Sequence, residues 1–191
     1  MWPQVATLFD VCDLGTAQGK RDRVVLGLLV GAGLRRAEAV RLNWSDVARR
    51  EICGRVFTVV HVRGRGRRER QLVVSDWLGE ALDVWRDASE QIGPVLRRFW
   101  RGGHLGPALT AAGLLRIVSD LGRVAGLAGL TPLDLRLTLA CAQVRARGLE
   151  YASLVLGDAD AQRTERGLGG CCGAGDGPVA LLWTGGPAEG R

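Results

Sequence analysis

The chain has 191 residues, which is enough for one domain with a hydrophobic core and too few for two full ones. Hydrophobic residues make up 47% and charged residues 24%, the composition of an ordinary globular protein. The net charge is +6, and Lys20 is the only lysine among 26 basic residues. This arginine-rich balance favours a polyanionic partner, nucleic acid first and an acidic membrane surface second, although a GC-rich genome would also raise the arginine count.

The cysteines and histidines predict neither a disulfide framework nor a metal site. The five cysteines are an odd number, none forms a C-x-x-C pair, and only two histidines are present. The N-terminus lacks the pattern of a secretory signal, and the longest apolar run, 24–34, is about half of the roughly 20 residues that span a bilayer. We therefore expect a cytosolic protein with no membrane segment.

The first predicted elements are helices, followed by strands. A helix is predicted over 3–12, a strongly buried one over 21–33, and another over 34–44. From Arg55 the apolar period changes to two, and "RVFTVVHV" and "RQLVVS" predict the two strands of a β-hairpin. The segment between them is rich in arginine and glycine, and glycine supplies the positive φ angles of a tight turn.

Apolar stripes at helical spacing and capping residues return after residue 75. The first stripe comprises Leu78, Leu82 and Trp85, and the second, behind the predicted cap Thr110, comprises Leu114, Val118 and Leu121. Thr131 as N-cap, Pro132 next and Asp134 three residues after the cap predict a well-defined helix start. A short helix is predicted over 150–156.

The predicted fold class is α+β and mostly helical, with helices around a small antiparallel sheet that carries a basic hairpin. We predict one domain over 1–168. The glycine-rich segment 169–191 lacks either periodicity and is predicted to be a disordered tail.

Three arginines are candidates for an anion site. Arg35 and Arg136 lie near the starts of predicted helices, where free N–H groups and the helix dipole favour anions. Arg65 lies in the hairpin, and the fold could bring all three guanidinium groups onto one phosphate. Any one arginine taken alone is more often a solvated surface charge.

Four stretches resemble the boxes of the tyrosine recombinases, also called phage integrases, and occur in the same order. They are "RDRVVLGLLVGAGLRRAEAVRLNWSDV", "VRGRGRRERQLVVS", "LTPLDLRLTLA" and "LVLGDADAQRTERG". The resemblance covers nearly the whole catalytic domain of that family, from about residue 3 to residue 167.

The resemblance implies a DNA-cleaving chemistry without metal, ATP or any other cofactor. Family members attack a backbone phosphate with a tyrosine and form a covalent 3′-phosphotyrosyl link. Two arginines bind the non-bridging oxygens and stabilise the charge of the transition state. A hairpin lysine and box histidines transfer protons to and from the bridging oxygens.

The arginines of the family have counterparts in this chain. Arg35 and Arg136 match the two phosphate-binding arginines, and Glu38 matches the family's glutamate three residues after the first. Arg65 stands at the lysine position, where it keeps the charge but is a poor proton donor. We expect the neighbouring hairpin arginines to contact DNA as well; these are Arg63, Arg67, Arg68 and Arg70.

The nucleophile and the acid–base groups of the family are not matched. Leu133 and Leu137 replace the box histidines, Asp158 replaces a third histidine and is expected to repel phosphate, and Gly167 stands at the tyrosine position. Tyr151, the only tyrosine, lies sixteen residues too early, on a helix expected to pack against the core. Cys171 and Cys172 have no neighbour that would activate them as substitute nucleophiles.

We therefore predict a double-stranded DNA-binding, recombinase-like domain, associated with the nucleoid, that keeps the phosphate-binding arginines and has lost strand cleavage. The chain starts at the catalytic domain, so the preceding DNA-binding domain is expected to be absent and the affinity modest and salt-sensitive. Three alternatives stay open. They are an active integrase completed by a partner subunit, a non-catalytic regulator that binds DNA or other recombinase subunits, and a decayed gene product.

Overall fold

The computed structural model of the chain describes residues 3–64, 69–158 and 161–168. Eight α-helices and five strands are found in this part of the chain. The helices are α1 (Pro3–Asp10), α2 (Ala17–Leu26), α3 (Arg36–Ala39), α4 (Asp76–Asp87), α5 (Ala111–Val124), α6 (Pro132–Arg147), α7 (Leu149–Leu156) and α8 (Ala161–Leu168). The strands are β1 (Val47–Ile52), β2 (Arg55–Arg63), β3 (Glu69–Val73), β4 (Arg97–Phe99) and β5 (Leu105–Ala108).

The second helix starts earlier than predicted and ends differently. Thr16 caps α2, its hydroxyl accepting the N–H of Gly19 at 3.0 Å, so the helix begins before the apolar run. Its last turn widens into a π-helical segment, Gly27–Gly31. A Cβ on Gly27 would lie 2.6 Å from the Leu78 side chain, so this glycine lets α4 pack closely.

The helix predicted over 34–44 is only one turn long, as α3. The backbone that follows it pairs with a distant segment instead of continuing the helix. The carbonyl of Leu42 accepts the N–H of Val95 at 2.9 Å, and Trp44 N–H donates to the carbonyl of Gly93 at 2.9 Å. Both Leu42 and Trp44 are buried in this arrangement.

A three-stranded antiparallel sheet follows, in the order β1-β2-β3. Val47 pairs with Val60 and Val59 with Val73, so the predicted hairpin strands β2 and β3 are confirmed. Strand β1 was missed by the sequence analysis because most of its residues are polar and exposed, as befits an edge strand. The β4–β5 hairpin, with three and four residues per strand, was also missed.

The predicted apolar stripe of α4 is confirmed, since Leu78, Leu82 and Trp85 are all fully buried. The indole N–H of Trp85 donates to the carbonyl of Val95 at 2.7 Å, and this hydrogen bond joins α4 to the segment just before β4. The cap predicted for α5 is confirmed too, because the Thr110 hydroxyl accepts the N–H of Gly113 at 3.0 Å.

The last three helices pack together at one end of the molecule. Helix α6 begins with the predicted capping box, in which Thr131 N–H donates to Asp134 Oδ2 at 2.8 Å. Helix α7 ends at Gly157 in the left-handed conformation, with φ +63°. Helix α8 was not predicted because its sequence is mostly polar, and it buries Thr164 and Leu168.

The predicted fold class, α+β and mostly helical, is confirmed by this arrangement. One large apolar core joins the first five helices to the sheet, and a smaller cluster lies between α6, α7 and α8. Within the described ranges no helix is long and apolar enough to cross a membrane. The predicted tail, 169–191, lies outside the described residues.

Candidate functional site

The loop that carries Arg35 is shaped by a glycine. Gly33 has φ +63°, and a Cβ there would lie 2.8 Å from Leu139 and 3.0 Å from Leu156. Only glycine fits this turn, because the positive φ and the close helices both exclude a side chain. The turn ends the buried π-helical segment and places Arg35 at the N-terminus of α3.

Glu38 orients Arg35 from within the same turn. Its Oε2 accepts the backbone N–H of Arg35 at 2.9 Å, and its Oε1 accepts from Arg35 Nη1 at 2.9 Å. The same carboxylate also takes two hydrogen bonds from Arg70, at 3.1 and 2.8 Å. Glu38 is buried, so these charge-assisted bonds to two arginines offset the cost of burying its carboxylate.

Arg136 is the most enclosed cation of the site, with 7% of its surface exposed. Its guanidinium donates to the carbonyl of Gly33, to the carbonyl of Leu156 at 3.0 Å and to Asp158 Oδ1 at 3.1 Å. Helix α6 presents this side chain from its second turn. Arg136 therefore connects the Arg35 loop with the end of α7.

Arg35 and Arg136 meet at a single atom. Asp158 Oδ1 accepts from Nη2 of Arg35 as well as from Nη2 of Arg136. We call Arg35 and Arg136 the arginine pair. The second oxygen of Asp158 accepts from the hydroxyl of Thr164 at 2.9 Å. The structure thus brings together the two arginines that the sequence analysis grouped, and their role toward phosphate stays a prediction.

A cavity of about 430 Å³ opens beside the arginine pair. Its other lining residues are Arg36, Leu115, Thr131, Pro132 and Leu133. Leu133, which stands at a histidine position of the family, is 59% exposed. The cavity is therefore lined by both cationic and apolar side chains.

The hairpin arginines differ in their exposure and in their partners. Arg63 is exposed and pairs with Asp46 at 2.7 Å. Arg70, predicted to contact DNA, has only 13% of its side chain exposed and is held by Glu38. The remaining predicted hairpin residues, Arg65, Arg67 and Arg68, lie outside the described residues.

The Glu38–Arg70 contact was missed by the sequence analysis. The two residues are 32 positions apart, and no local pattern connects them. Gly157 marks the contact, but this can be seen only with the structure, in which a Cβ at residue 157 would lie 2.7 Å from Arg70 Nη1. Arg70 therefore passes directly over the left-handed turn that precedes Asp158.

The remaining predicted positions lie on α7 and α8. Tyr151 is 36% exposed, and the guanidinium of Arg147 lies 4.9 Å from its ring centre. Gly167, at the position of the family's tyrosine, is part of α8. Among the described residues, no group of three or more His, Cys, Asp or Glu side chains is placed to hold a metal ion.

Two pKa shifts follow from this arrangement. Burial, joined by the positive charge of Arg35, lowers the pKa of Arg136 to about 10, although Asp158 and Glu38 act in the opposite direction. Burial alone would raise the pKa of Glu38, but the hydrogen bonds and charges of Arg70 and Arg35 outweigh it and lower the pKa below 4.5. At neutral pH Arg136 is therefore protonated and Glu38 is ionised.

Glu38→Gln is expected to remove part of the acid sensitivity of the fold. A carboxyl whose pKa is lowered by folding stabilises the folded state above its ordinary value of 4.5, and this stabilisation is lost as the pH falls through the lowered pKa. The variant should lose about 2 kcal/mol near neutral pH and progressively less as the pH falls below 4.5. Urea unfolding of both proteins across this range measures the difference, and a constant difference would contradict the prediction.

The structure resembles the catalytic domains of tyrosine recombinases. XerA recombinase superimposes with a TM-score of 0.67 at 19% identity, covering 95% of this chain and 62% of that one. XerH, solved after cleavage of its difH substrate, superimposes with a TM-score of 0.69 at 20% identity, covering 86% of this chain and 47% of that one. The fold is therefore that of this class of enzyme.

The sequence comparisons agree with the fold. The profile of the phage integrase family matches residues 3–157, so the chain belongs to the phage integrase family. The tyrosine recombinase XerC of Staphylococcus carnosus is 27% identical over 138 residues, which is 72% of this chain and 45% of that protein. XerC of Corynebacterium efficiens is 31% identical over 121 residues, 63% of this chain and 37% of that protein. The chain thus spans less than half the length of these two relatives.

Proposed function

We propose that this chain binds double-stranded DNA through its phosphate backbone and does not cleave it. The observation that carries the proposal is the arginine pair, two guanidinium groups from distant segments that share one anionic oxygen. Planar guanidinium groups that converge in this way suit a phosphodiester, whose non-bridging oxygens accept paired hydrogen bonds. Membership of the phage integrase family supports DNA as the source of that phosphate.

The loss of cleavage is inferred from the side chains that stand at the reacting positions. Gly167 has no hydroxyl to attack phosphorus, and Leu133 and Leu137 cannot transfer protons. Asp158 stands at a further histidine position, where it is held by the arginine pair. The site therefore keeps groups that bind charge and lacks the groups that make and break bonds.

DNA binding is tested by fluorescence anisotropy with a labelled duplex. We expect the affinity to fall steeply between about 50 and 200 mM salt, because phosphate contacts release bound counterions. Arg35→Ala should weaken binding about tenfold at fixed salt, since hydrogen bonds to a charged group are lost. Arg116→Ala is the matched control, because Arg116 carries the same charge on α5 and its side chain is 86% exposed. Equal affinities of the two variants would contradict a role for the arginine pair.

Cleavage is tested separately with a nicked duplex that traps a covalent protein–DNA link. We expect no band of linked protein after denaturing electrophoresis, with or without a second recombinase added. A linked species that disappears in Tyr151→Phe would show that the only tyrosine serves as nucleophile and that the chain is an enzyme. A link formed only with added recombinase would favour an integrase completed by its partner.

A further inference from the structure

Asp158 places a carboxylate of the chain itself on the arginine pair. Its Oδ1 accepts from Nη2 of Arg35 and, at 3.1 Å, from Nη2 of Arg136, while its Oδ2 accepts from Thr164 Oγ1 at 2.9 Å. The Asp158 side chain is 10% exposed. Both oxygens are therefore engaged within the protein, and the carboxylate is largely withdrawn from solvent.

This contact is the one that a phosphate oxygen would make. An oxygen shared by two guanidinium groups is a favourable position for any planar or tetrahedral oxyanion. A carboxylate and a phosphodiester each carry one negative charge, so they compete for the same donors. Two anions placed side by side on these donors would repel each other, and the repulsion grows as water is excluded.

The position of the carboxylate is fixed by the backbone. Gly157 adopts φ +63°, which ends α7, and the N–H of Asp158 donates to the carbonyl of Ser153 at 3.1 Å. Arg70 lies directly over Gly157, and Thr164 is buried on α8. Asp158 therefore cannot move away without breaking its hydrogen bonds to the carbonyl of Ser153 and to Thr164.

The charges of the described side chains give the same result. Arg35, Arg70 and Arg136 contribute three positive charges, and Glu38 and Asp158 contribute two negative ones. The net charge of this cluster is thus +1, and it would be +2 without the Asp158 carboxylate. Glu38 contacts Nη1 and the backbone N–H of Arg35, whereas Asp158 contacts Nη2 of Arg35 and Nη2 of Arg136, so Asp158 is the carboxylate that the two arginines share.

We propose that Asp158 is an internal competitor that occupies the arginine pair in the free protein and limits its affinity for DNA phosphate. The inference rests on the proposed function and adds a residue that sets its strength. A phosphodiester that reaches the arginine pair from the adjoining cavity must displace this carboxylate or bind against its charge. The hydrogen bond from Thr164 then holds the competitor in place.

The test compares the DNA affinities of the wild type and Asp158→Asn at fixed low salt. Asparagine keeps the size of the side chain and removes its charge, so we expect binding about tenfold tighter than wild type. Asp120→Asn is the matched control, because Asp120 also lies near two arginines, Arg116 and Arg123, but is exposed on α5. This control should change the affinity less than about twofold.

A second variant removes a hydrogen bond to the Asp158 carboxylate and leaves the charge of the carboxylate in place. Thr164→Val deletes the hydroxyl that donates to Asp158 Oδ2, and we expect binding about threefold tighter. Thermal unfolding with and without inorganic phosphate gives a readout that needs no DNA. Phosphate should raise the Tm of Asp158→Asn more than that of the wild type, because a ligand stabilises the state that binds it.

The outcomes separate this inference from the proposed function. Tighter binding by Asp158→Asn that disappears when Arg35→Ala is added supports both. Wild-type binding that depends on Arg35 but is unchanged or weakened in Asp158→Asn and Thr164→Val would overturn the competitor role and leave DNA binding intact. Absence of DNA binding in every variant would overturn the proposed function itself.

Discussion

Arg136→Met is expected to lower the free energy of unfolding by about 3 kcal/mol. Methionine fills much of the volume of arginine but donates no hydrogen bond. The carbonyls of Gly33 and Leu156 would lose their guanidinium donor inside the protein, and of its described side-chain donors Asp158 would keep Arg35 and Thr164. Buried acceptors without partners carry the full cost of their lost hydration.

Urea unfolding of Arg136→Met measures this loss, and Arg116→Met is its control. Arg116 is exposed on α5, so its replacement should stay within about 0.5 kcal/mol of the wild type. A loss below about 1 kcal/mol for Arg136→Met would mean that water or neighbouring groups replace the guanidinium with little difficulty. The prediction applies to stability and does not depend on the identity of the ligand.

Gly157→Ala is expected to lower the free energy of unfolding by about 3 kcal/mol as well, for two separate reasons. Alanine is strained at φ +63°, and its Cβ would meet the guanidinium of Arg70 at 2.7 Å. Arg70 is held by two hydrogen bonds to buried Glu38, so it cannot move away without breaking them. The substitution should therefore disturb the Glu38 contacts as well as the turn.

Gly126→Ala is the control that separates backbone strain from the close contact with Arg70. Gly126 follows α5 with φ +76°, and nothing lies within 4 Å of the Cβ that alanine would add. Its replacement should cost only the backbone strain, about 1 kcal/mol. The difference between the two variants measures the close approach of Arg70, and equal losses would show that this approach is unimportant. In an Arg70→Ala background, which lacks the close contact, Gly157→Ala should cost less than it does in the wild type.

Those elements of the fold that depend on local signals were predictable from the sequence. The cap at Thr131 and the apolar stripe of α4 are contained in short windows, and both occur as predicted. The helix predicted over 34–44 was wrong in length because pairing of Leu42 and Trp44 with 93–95 overrides local helix propensity. Strand β1 was missed because an exposed edge strand carries little apolar alternation.

The contacts of the site likewise include some that the sequence predicted and some that it did not. The resemblance grouped Arg35 with Arg136, and the structure brings them onto one oxygen. Asp158 was expected to repel phosphate, and the structure adds what a single sequence does not contain, namely that this carboxylate is bound by both arginines. The Glu38–Arg70 contact depends on how the hairpin folds back over α3, which no local pattern encodes.

The contact between Arg136 and Gly33 joins segments 103 residues apart in the chain. Closing so long a loop costs chain entropy, so we expect this contact to form after the local helices. We expect an oligonucleotide held by both members of the arginine pair to tie the Arg35 loop to α6. It should slow global opening, seen as hydrogen exchange in the core helices, while the exposed β1–β2 end exchanges at its usual rate.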